Sequence, residues 1–250
     1  MSDSLVRWID IARRTAENGR ASDEDIQALI HHPQDRAMEL LPGADFLRRR
    51  FFGSRISLCS ILNARSGACS EDCAFCAQSR RSRAEIDKYP LLSGEEMITP
   101  GQVCAREGID RYSLVTSGRG MDRAEMQTLL PVFRELKSGI KLCASLGIAE
   151  PDDLAFMKEA GLSRYHHNLE TSPDFFPRIC TTHTFEQRLK TVRAAKRVGL
   201  SVCSGGVFGI GESDRDVASL GTMLRDLDVD AVPVNFLVPV PGTPLADICP

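Results

Sequence analysis

Long apolar runs, a surplus of positive charge and an export signal are all missing from this chain of 250 residues. No apolar segment approaches the ~20 residues that a membrane-spanning helix needs, so we expect no membrane association. The formal net charge of −3 argues against a basic surface for nucleic acid. The first seven residues lack the apolar core of a signal peptide. We therefore expect a cytoplasmic protein in a reducing compartment.

Three of the nine cysteines stand close together between residues 67 and 79. Cys69, Cys73 and Cys76 have the spacing Cys-x3-Cys-x2-Cys. Thiolates are the ligands that iron–sulfur clusters prefer, and three cysteines leave one iron of a four-iron cluster open. An open iron can chelate an amine and a carboxylate, which S-adenosylmethionine (SAM) carries. This motif resembles the signature of the radical SAM enzymes, which implies a [4Fe–4S] cluster and SAM as cofactors.

Two other interpretations of the cysteines remain. A zinc site needs four tetrahedral ligands, usually in two separated pairs, and the histidines that we considered, His31 and His32, lie far upstream. A disulfide framework is disfavoured, because nine is an odd number and no secretory signature is present. A non-catalytic zinc or scaffold protein stays the remote alternative.

The pattern of apolar residues predicts two regions. Residues 1–52 predict helices, which we interpret as an N-terminal extension that packs as a lid. From residue 53 to 250, β-rich segments alternate with helical patterns, which predicts βα units in one parallel sheet and the fold class α/β. Functional residues of such a barrel, or open arc, lie at the C-terminal ends of the strands. The predicted strands cover 56–62, 111–115, 140–146, 165–169, 200–207 and 232–238, and the predicted helices cover 122–137, 185–198, 214–227 and a segment from Pro151.

Several blocks of the chain resemble the biotin synthase family of radical SAM enzymes. The resemblance runs from about Gly53 to the end and implies a TIM-type (βα) barrel of eight units, of which about six are counted here. We therefore expect the C-terminal part of the barrel to be absent. Because an uncovered parallel edge invites aggregation, we also expect poor solubility or a partner at that edge. The resembling blocks are 165–172, Arg188, 202–206, 209–212, 234–235, 241–245, and Glu71-Asp72 and Gln78-Ser79 around the cysteines.

The resemblance assigns roles to polar residues. Asn168 and Glu170 stand two apart on a predicted strand, so both side chains point to one face, and the family places the SAM ribose there, with Asn168 also near the substrate. Arg188 would hold the SAM carboxylate, for which a guanidinium fork is suited, and Asn235 the ureido ring of the substrate. From the residues alone, the Asn/Glu pair could instead cap a helix, and Arg188 would be a solvated surface arginine.

A glycine-rich segment follows the fifth predicted strand. Gly205-Gly206 and the pair Gly209 and Gly211 allow close approach of the backbone to SAM. The segment does not match the dinucleotide fingerprint Gly-x-Gly-x-x-Gly, so we do not predict a nicotinamide site.

The remaining cysteines predict a second metal centre. The family holds a second cluster, of the [2Fe–2S] type, deep in the barrel, and Cys143 and Cys203 match two of its cysteine ligands. The third cysteine ligand of the family falls at Ser113 in this chain, and Cys59 stands where better-known members carry serine. The usual arginine ligand would lie beyond the end of this chain. We therefore expect Cys59, Cys143 and Cys203 to point inward and hold an auxiliary iron–sulfur cluster, with Cys180 as a possible further ligand. The alternative is that they are small buried core residues.

The reaction implied by the resemblance is sulfur insertion into dethiobiotin, which gives biotin. Two unactivated C–H bonds must each be replaced by a C–S bond, so a 5′-deoxyadenosyl radical from SAM is needed twice. The family also implies a flavodoxin or ferredoxin electron donor and a homodimer. His166 and His167 are interpreted as scaffold residues. The main alternative is another radical SAM enzyme of this branch, such as a hydrogenase maturase or an amino-acid mutase.

Overall fold

The computed structural model describes residues 3–248, and the chain divides into two compact units, Met1–Ser57 and Leu58–Pro250. The first unit is helical. Ser22 caps the second helix by accepting a hydrogen bond from the Asp25 N–H at 3.1 Å. The interpretation of residues 1–52 as a separate domain stays a prediction. The elements of this unit are α1 (Asp3–Asn18), α2 (Asp23–Ile30), a 3-10 helix (Gln34–Leu40) and α3 (Leu41–Phe52).

The second unit is built on parallel strands that follow the order of the chain. Strands β1 to β5 form a five-stranded sheet, and β6 pairs with β7 in parallel. Isolated parallel bridges join Glu170 to Gly206 and Cys203 to Ala231, which continue the arc from the first sheet to the second. The strands are β1 (Cys59–Arg65), β2 (Arg111–Thr116), β3 (Lys141–Ser145), β4 (Leu162–His166), β5 (Ser201–Cys203), β6 (Gly206–Phe208) and β7 (Val234–Phe236). The predicted α/β fold, a partial (βα) barrel, is therefore confirmed.

Helices separate successive strands except β5 and β6, and side chains cap most of these helices. Four of these helices begin with a reciprocal capping box. In it, the side chain of the N-cap residue and that of the residue three positions later each accept a hydrogen bond from the other's backbone N–H. The hydrophobic core lies between these helices and one face of the sheet, where Tyr112, Leu142 and Val202 are almost fully buried. The helices are α4 (Gly94–Arg106), α5 (Arg123–Leu136), α6 (Pro151–Ala160), α7 (Phe176–Ile179), α8 (Phe185–Arg197) and α9 (Asp214–Asp226).

The prediction for the fourth strand was shifted by three residues. Strand β4 ends at His166, and the chain then leaves the ladder. The His167 N–H binds the Cys203 carbonyl, and the Glu170 N–H binds the Gly205 carbonyl. Glu170 has a positive φ of 72°, which extended strands do not adopt. Asn168 and Glu170 therefore lie beyond the end of β4 and not along it.

The predicted fifth strand is divided in two. A side chain on Gly205 would meet the Pro233 carbonyl oxygen at 2.0 Å, and one on Gly206 would meet the Glu170 oxygen at 2.4 Å. These glycines therefore let neighbouring backbone segments approach each other between β5 and β6. This contact between neighbouring segments is a role of both glycines in the structure, and the predicted close approach to SAM stays a prediction.

The outer strands carry exposed apolar side chains. Within the described residues, β1 pairs only with β2 and β7 only with β6. Ile61 is 65% exposed and Phe236 is 74% exposed. The predicted self-association through such an edge stays a prediction, which sedimentation of the purified chain would contradict by showing a soluble monomer. No helix within residues 3–248 combines the length and the apolarity needed to cross a membrane.

Candidate active site

The cysteine loop leaves the C-terminal end of β1 through a tight turn. Gly67 and Ala68 both have positive φ, 76° and 49°. The Gly67 N–H donates to Oε1 of Gln78 at 2.8 Å, and its carbonyl accepts from the Ser117 hydroxyl at 2.6 Å. The loop is thus closed on itself and fastened to the end of β2. It presents the three predicted cluster cysteines at the edge where the strands end.

The acidic pair inside this loop binds a distant segment, residues 180–183. Asp72 accepts hydrogen bonds from the Thr181 N–H at 2.8 Å and the Thr181 hydroxyl at 2.5 Å. Glu71 accepts from Thr182 Oγ1 at 2.8 Å and contacts His183 Nδ1 at 2.5 Å. Burial opposes ionisation of Asp72, but the hydrogen bonds outweigh it and hold its pKa well below the usual range. The acidic pair therefore anchors the cysteine loop.

Replacing Asp72 with asparagine is expected to destabilise the cluster-free chain by about 1–3 kcal/mol, the cost of leaving a buried donor unpaired. An amide would bring N–H groups to a point where the donors of Thr181 and Thr182 already converge. Because the native pKa of Asp72 is lowered, its stabilisation is complete above about pH 4 and is lost as the pH falls below that value. Urea unfolding at pH 7 measures the loss.

The control for this prediction is Asp87→Asn, at an exposed position in the same stretch between β1 and α4. Equal free energies of unfolding for the parent chain, the control and Asp72→Asn would contradict the anchoring role.

Cys180 lies against the cysteine loop. Its Sγ is 3.9 Å from Cys73 Sγ and 3.3 Å from His183 Nδ1. The hydrogen bond from Cys73, aided by His183 and Thr182, lowers the pKa of the Cys180 thiol despite its burial. Cys180 was proposed from the sequence as a further ligand of the auxiliary centre; the structure places it beside the loop instead.

The three residues assigned to SAM form one hydrogen-bonded group. Arg188, on α8, donates from Nη2 to Glu170 Oε1 at 2.9 Å and from Nε to the Asn168 carbonyl at 2.6 Å. Asn168 Nδ2 donates to Glu170 Oε2 at 3.3 Å. Burial raises the pKa of Glu170, and the adjacent guanidinium offsets part of that rise. Arg188 Nη1 also donates to His183 Nε2 at 3.1 Å, and His183 contacts Glu71 of the loop, so this group adjoins the loop.

The glycine turn follows β6. Gly209 and Gly211 have positive φ, 82° and 94°, and both carboxylate oxygens of Glu212 accept hydrogen bonds from the N–H groups of Gly209 and Ile210 at 2.8 Å. Asn235, on β7, is exposed and donates to the Gly206 carbonyl at 3.1 Å. The predicted roles of these residues in binding SAM and substrate stay predictions.

The concave face of the sheet carries the other predicted cysteines. Side chains alternate along a strand, and Tyr112, Leu142 and Val202 face the helices. Their neighbours therefore face the opposite side, which places Cys143 and Cys203 there. Ser113 pairs in register with Cys143, and Cys143 with Arg164.

The three thiols differ in exposure, since Cys143 is buried, Cys203 is half-buried and Cys59 is exposed. The thiols of Cys59 and Cys203 both act on Cys143, and burial raises the pKa of Cys143 to about 11. Burial raises the pKa of the Cys59 and Cys203 thiols, and Arg111 and Arg164 offset only part of that rise. Three thiols with two guanidinium groups suit an anionic cluster.

The sequence did not predict the contacts of residues 181–183, and it did not predict those of Arg111 and Arg164. His183 was not considered as a neighbour of the cysteine motif, because more than a hundred residues separate it from Cys73. The hint in the sequence was the short segment Cys-Thr-Thr-His at residues 180–183, in which two metal-ligand types lie one turn apart.

His167 and His166 fit the scaffold role expected from the sequence. His167 is buried, stacks near Tyr165 with ring centroids 6.3 Å apart, and has its pKa lowered well below the usual value by burial. Burial also lowers the pKa of His166. Nε2 of His167 is buried without a hydrogen-bond partner among the described residues, so the contribution of this ring is packing.

Comparison with known proteins assigns the chain to a family. Residues 64–224 match the radical SAM superfamily. The biotin synthase of Desulfatibacillum aliphaticivorans is 46% identical over 96% of this chain and 74% of its own length. That of Pelotomaculum thermopropionicum is 50% identical over 89% and 70%.

Solved structures agree on the fold. Methylornithine synthase superposes with a TM-score of 0.83 at 22% identity, over 95% of this chain and 71% of that one. A hydrogenase maturase from Carboxydothermus hydrogenoformans superposes with a TM-score of 0.74 at 18% identity, over 98% and 63%. At these identities the likeness concerns the fold alone. The family match and the curated relatives together show that the chain belongs to the radical SAM superfamily and, within it, to the biotin synthase family.

Proposed function

We propose that the chain inserts sulfur into dethiobiotin to form biotin, using radicals generated from SAM. The observation that carries this proposal is the convergence of the three-cysteine loop on the group formed by Asn168, Glu170 and Arg188. Radical SAM enzymes combine a cluster with one open iron and groups that hold SAM beside it. The named relatives supply the substrate.

Cys69, Cys73 and Cys76 would bind the [4Fe–4S] cluster. The donor set fits, because three thiols on a loop closed by Gln78 lie at the mouth of the arc and leave no fourth cysteine of the motif for the last iron. When bound and reduced, the cluster supplies the electron that cleaves SAM to methionine and a 5′-deoxyadenosyl radical. The role of the loop is to fix the three thiolates, and Glu71 and Asp72 hold it in place.

Arg188 would bind the SAM carboxylate, and Glu170 with Asn168 the ribose. A carboxylate accepts both ribose hydroxyls, and an amide donates and accepts at once. Arg188 already contacts Glu170 and the Asn168 carbonyl, so its guanidinium is oriented before SAM arrives, which lowers the cost of binding. Gly209 and Gly211 would form the turn against the cofactor.

Asn168 and Asn235 would contact the substrate, with Asn235 at the ureido ring. Cys59, Cys143 and Cys203 would hold the auxiliary iron–sulfur cluster that supplies sulfur, and Arg111 and Arg164 would compensate its charge. Aiming the reactive carbon of SAM at the substrate and excluding water from the site are the main contributions of the protein. A flavodoxin or ferredoxin would deliver the electron, and we propose a homodimer.

Deuterium transfer tests the proposed substrate. The chain is reconstituted with iron and sulfide without oxygen, and is given SAM, a strong reductant and dethiobiotin deuterated at its methyl carbon. We expect deuterium in 5′-deoxyadenosine, since the radical abstracts that hydrogen. Formation of unlabelled 5′-deoxyadenosine would indicate another radical SAM enzyme of this branch. Colourless protein with zinc in place of iron would favour the non-catalytic alternative.

A further inference from the structure

One side-chain cluster combines a cysteine of the loop with two residues that have no part in the proposed reaction. It consists of Cys73, Cys180 and His183, whose possible ligand atoms lie within 4.8 Å of one another. Cys180 and His183 are both buried, 3% and 5% exposed. Cys180 Sγ lies 3.3 Å from Nδ1 and 3.9 Å from Nε2 of the His183 ring. Two thiols and an imidazole converging in a buried place form a set of transition-metal ligands.

The distances fit a single tetrahedral ion. With metal–sulfur bonds of about 2.3 Å, two thiolates on one tetrahedral ion lie roughly 3.8 Å apart. Cys73 Sγ and Cys180 Sγ are 3.9 Å apart. Thiolates on different irons of a four-iron cluster lie much farther apart, so Cys180 is not placed to be a fourth ligand of that cluster. The pair is spaced to share one ion.

The surroundings of His183 match those of a metal-binding histidine. Nδ1 contacts the Glu71 carboxylate at 2.5 Å, and Nε2 accepts a hydrogen bond from Arg188 Nη1 at 3.1 Å. Metal-binding histidines commonly donate one ring N–H to a carboxylate while the other nitrogen binds the ion. An ion at Nε2 would replace the Arg188 contact and leave the Glu71 contact intact.

We propose that, before the [4Fe–4S] cluster is assembled, the chain binds one divalent transition-metal ion through Cys73, Cys180 and His183. Binding releases the proton of each thiol still protonated to solvent and forms two metal–thiolate bonds and one metal–nitrogen bond, with no change of oxidation state. The proposal depends on the proposed function only through Cys73, which the cluster uses later. The single ion and the cluster therefore exclude each other, and Zn²⁺ held at this site delays cluster assembly.

Cobalt is the probe, because tetrahedral Co²⁺ with thiolate ligands absorbs visible light. The full chain is freed of metal with a chelator and titrated with Co²⁺ without oxygen, with a phosphine reductant to keep the thiols reduced. We expect one equivalent of Co²⁺ with thiolate-to-metal absorption. Cys180→Ser and His183→Ala should each weaken binding at least about tenfold, whereas Cys69→Ala, Cys76→Ala and Cys104→Ala should leave it within about twofold of the parent.

Circular dichroism confirms that each variant is folded before titration. Unchanged Co²⁺ affinity in both Cys180→Ser and His183→Ala would overturn the proposal. An equal loss in Cys69→Ala and Cys76→Ala would also overturn it, because the ion would then belong to the three-cysteine motif. Cluster content and SAM cleavage of the reconstituted parent chain are measured separately, so a failure of the cobalt site is distinguishable from a failure of the proposed function. Prior Zn²⁺ should slow cluster formation in the parent and not in Cys180→Ser.

Discussion

Replacing Cys76 with serine is expected to lower SAM cleavage by more than about a thousandfold, which corresponds to about 4 kcal/mol of lost transition-state stabilisation. The motif offers three thiolates, and a cluster that loses one of them has no protein ligand for a second iron. Cys76 is half-buried within the loop, and burial raises its pKa, so the bound metal must displace its proton. A serine hydroxyl holds its proton far more tightly.

Two measurements check this prediction. Chromatography quantifies 5′-deoxyadenosine formed with a strong reductant, and iron and sulfide are counted per chain after anaerobic reconstitution. Cys104→Ala is the matched control, since Cys104 lies on α4 and has no assigned role. Cys104→Ala should keep the iron and activity of the parent. SAM cleavage by Cys76→Ser at the rate of the parent would show that the loop is not the cluster site.

Local patterns in the sequence were sufficient to predict much of the fold. The predicted helices at 185–198 and 214–227 begin at the same residues as α8 and α9 and end one residue later. Their apolar spacing and their N-cap residues, Thr184 and Ser213, lie in the same short segments. Cys69, Cys73 and Cys76 were recognisable for the same reason: all of the information lies within one loop.

The parts that failed depend on contacts between distant segments. Strand β4 ends three residues early because Leu169 and Glu170 bind the Gly205 carbonyl, a partner more than thirty residues away. The position of Cys180 depends on hydrogen bonds from residues 181–182 to Asp72. Residue spacing does not encode such contacts, so the sequence alone did not place Cys180 beside the cysteine loop.

The two proposed centres lie at different places in the arc, which makes them separable by mutation. The loop of Cys69, Cys73 and Cys76 follows the C-terminal end of β1, whereas Cys59 opens that strand and Cys143 lies within β3. Arg111 is paired in register with Cys59, so the charge around the second centre comes from the sheet itself. SAM cleavage should depend on the first centre alone, and sulfur insertion on both.

The triple variant Cys59→Ala/Cys143→Ala/Cys203→Ala is therefore expected to cleave SAM within about threefold of the parent, a change of less than about 1 kcal/mol in the barrier, and to form no detectable biotin. Its iron and sulfide content should fall by that of one cluster. Since cysteine and alanine are both small, the concave face loses little packing, and thermal melting verifies that the variant is folded. Cys104→Ala again controls for loss of a thiol elsewhere.

Equal iron and sulfide in the triple variant and the parent would remove the auxiliary centre from the proposal. Ser113→Cys offers the complementary test, because Ser113 is the register partner of Cys143 and stands where the family resemblance expects a cysteine. The new thiolate would join the three proposed ligands of the auxiliary centre. It should change the absorption spectrum of the second cluster without changing SAM cleavage. An unchanged spectrum would mean that Cys143 and its neighbours hold no metal, since a new ligand beside a bound cluster alters its charge-transfer bands.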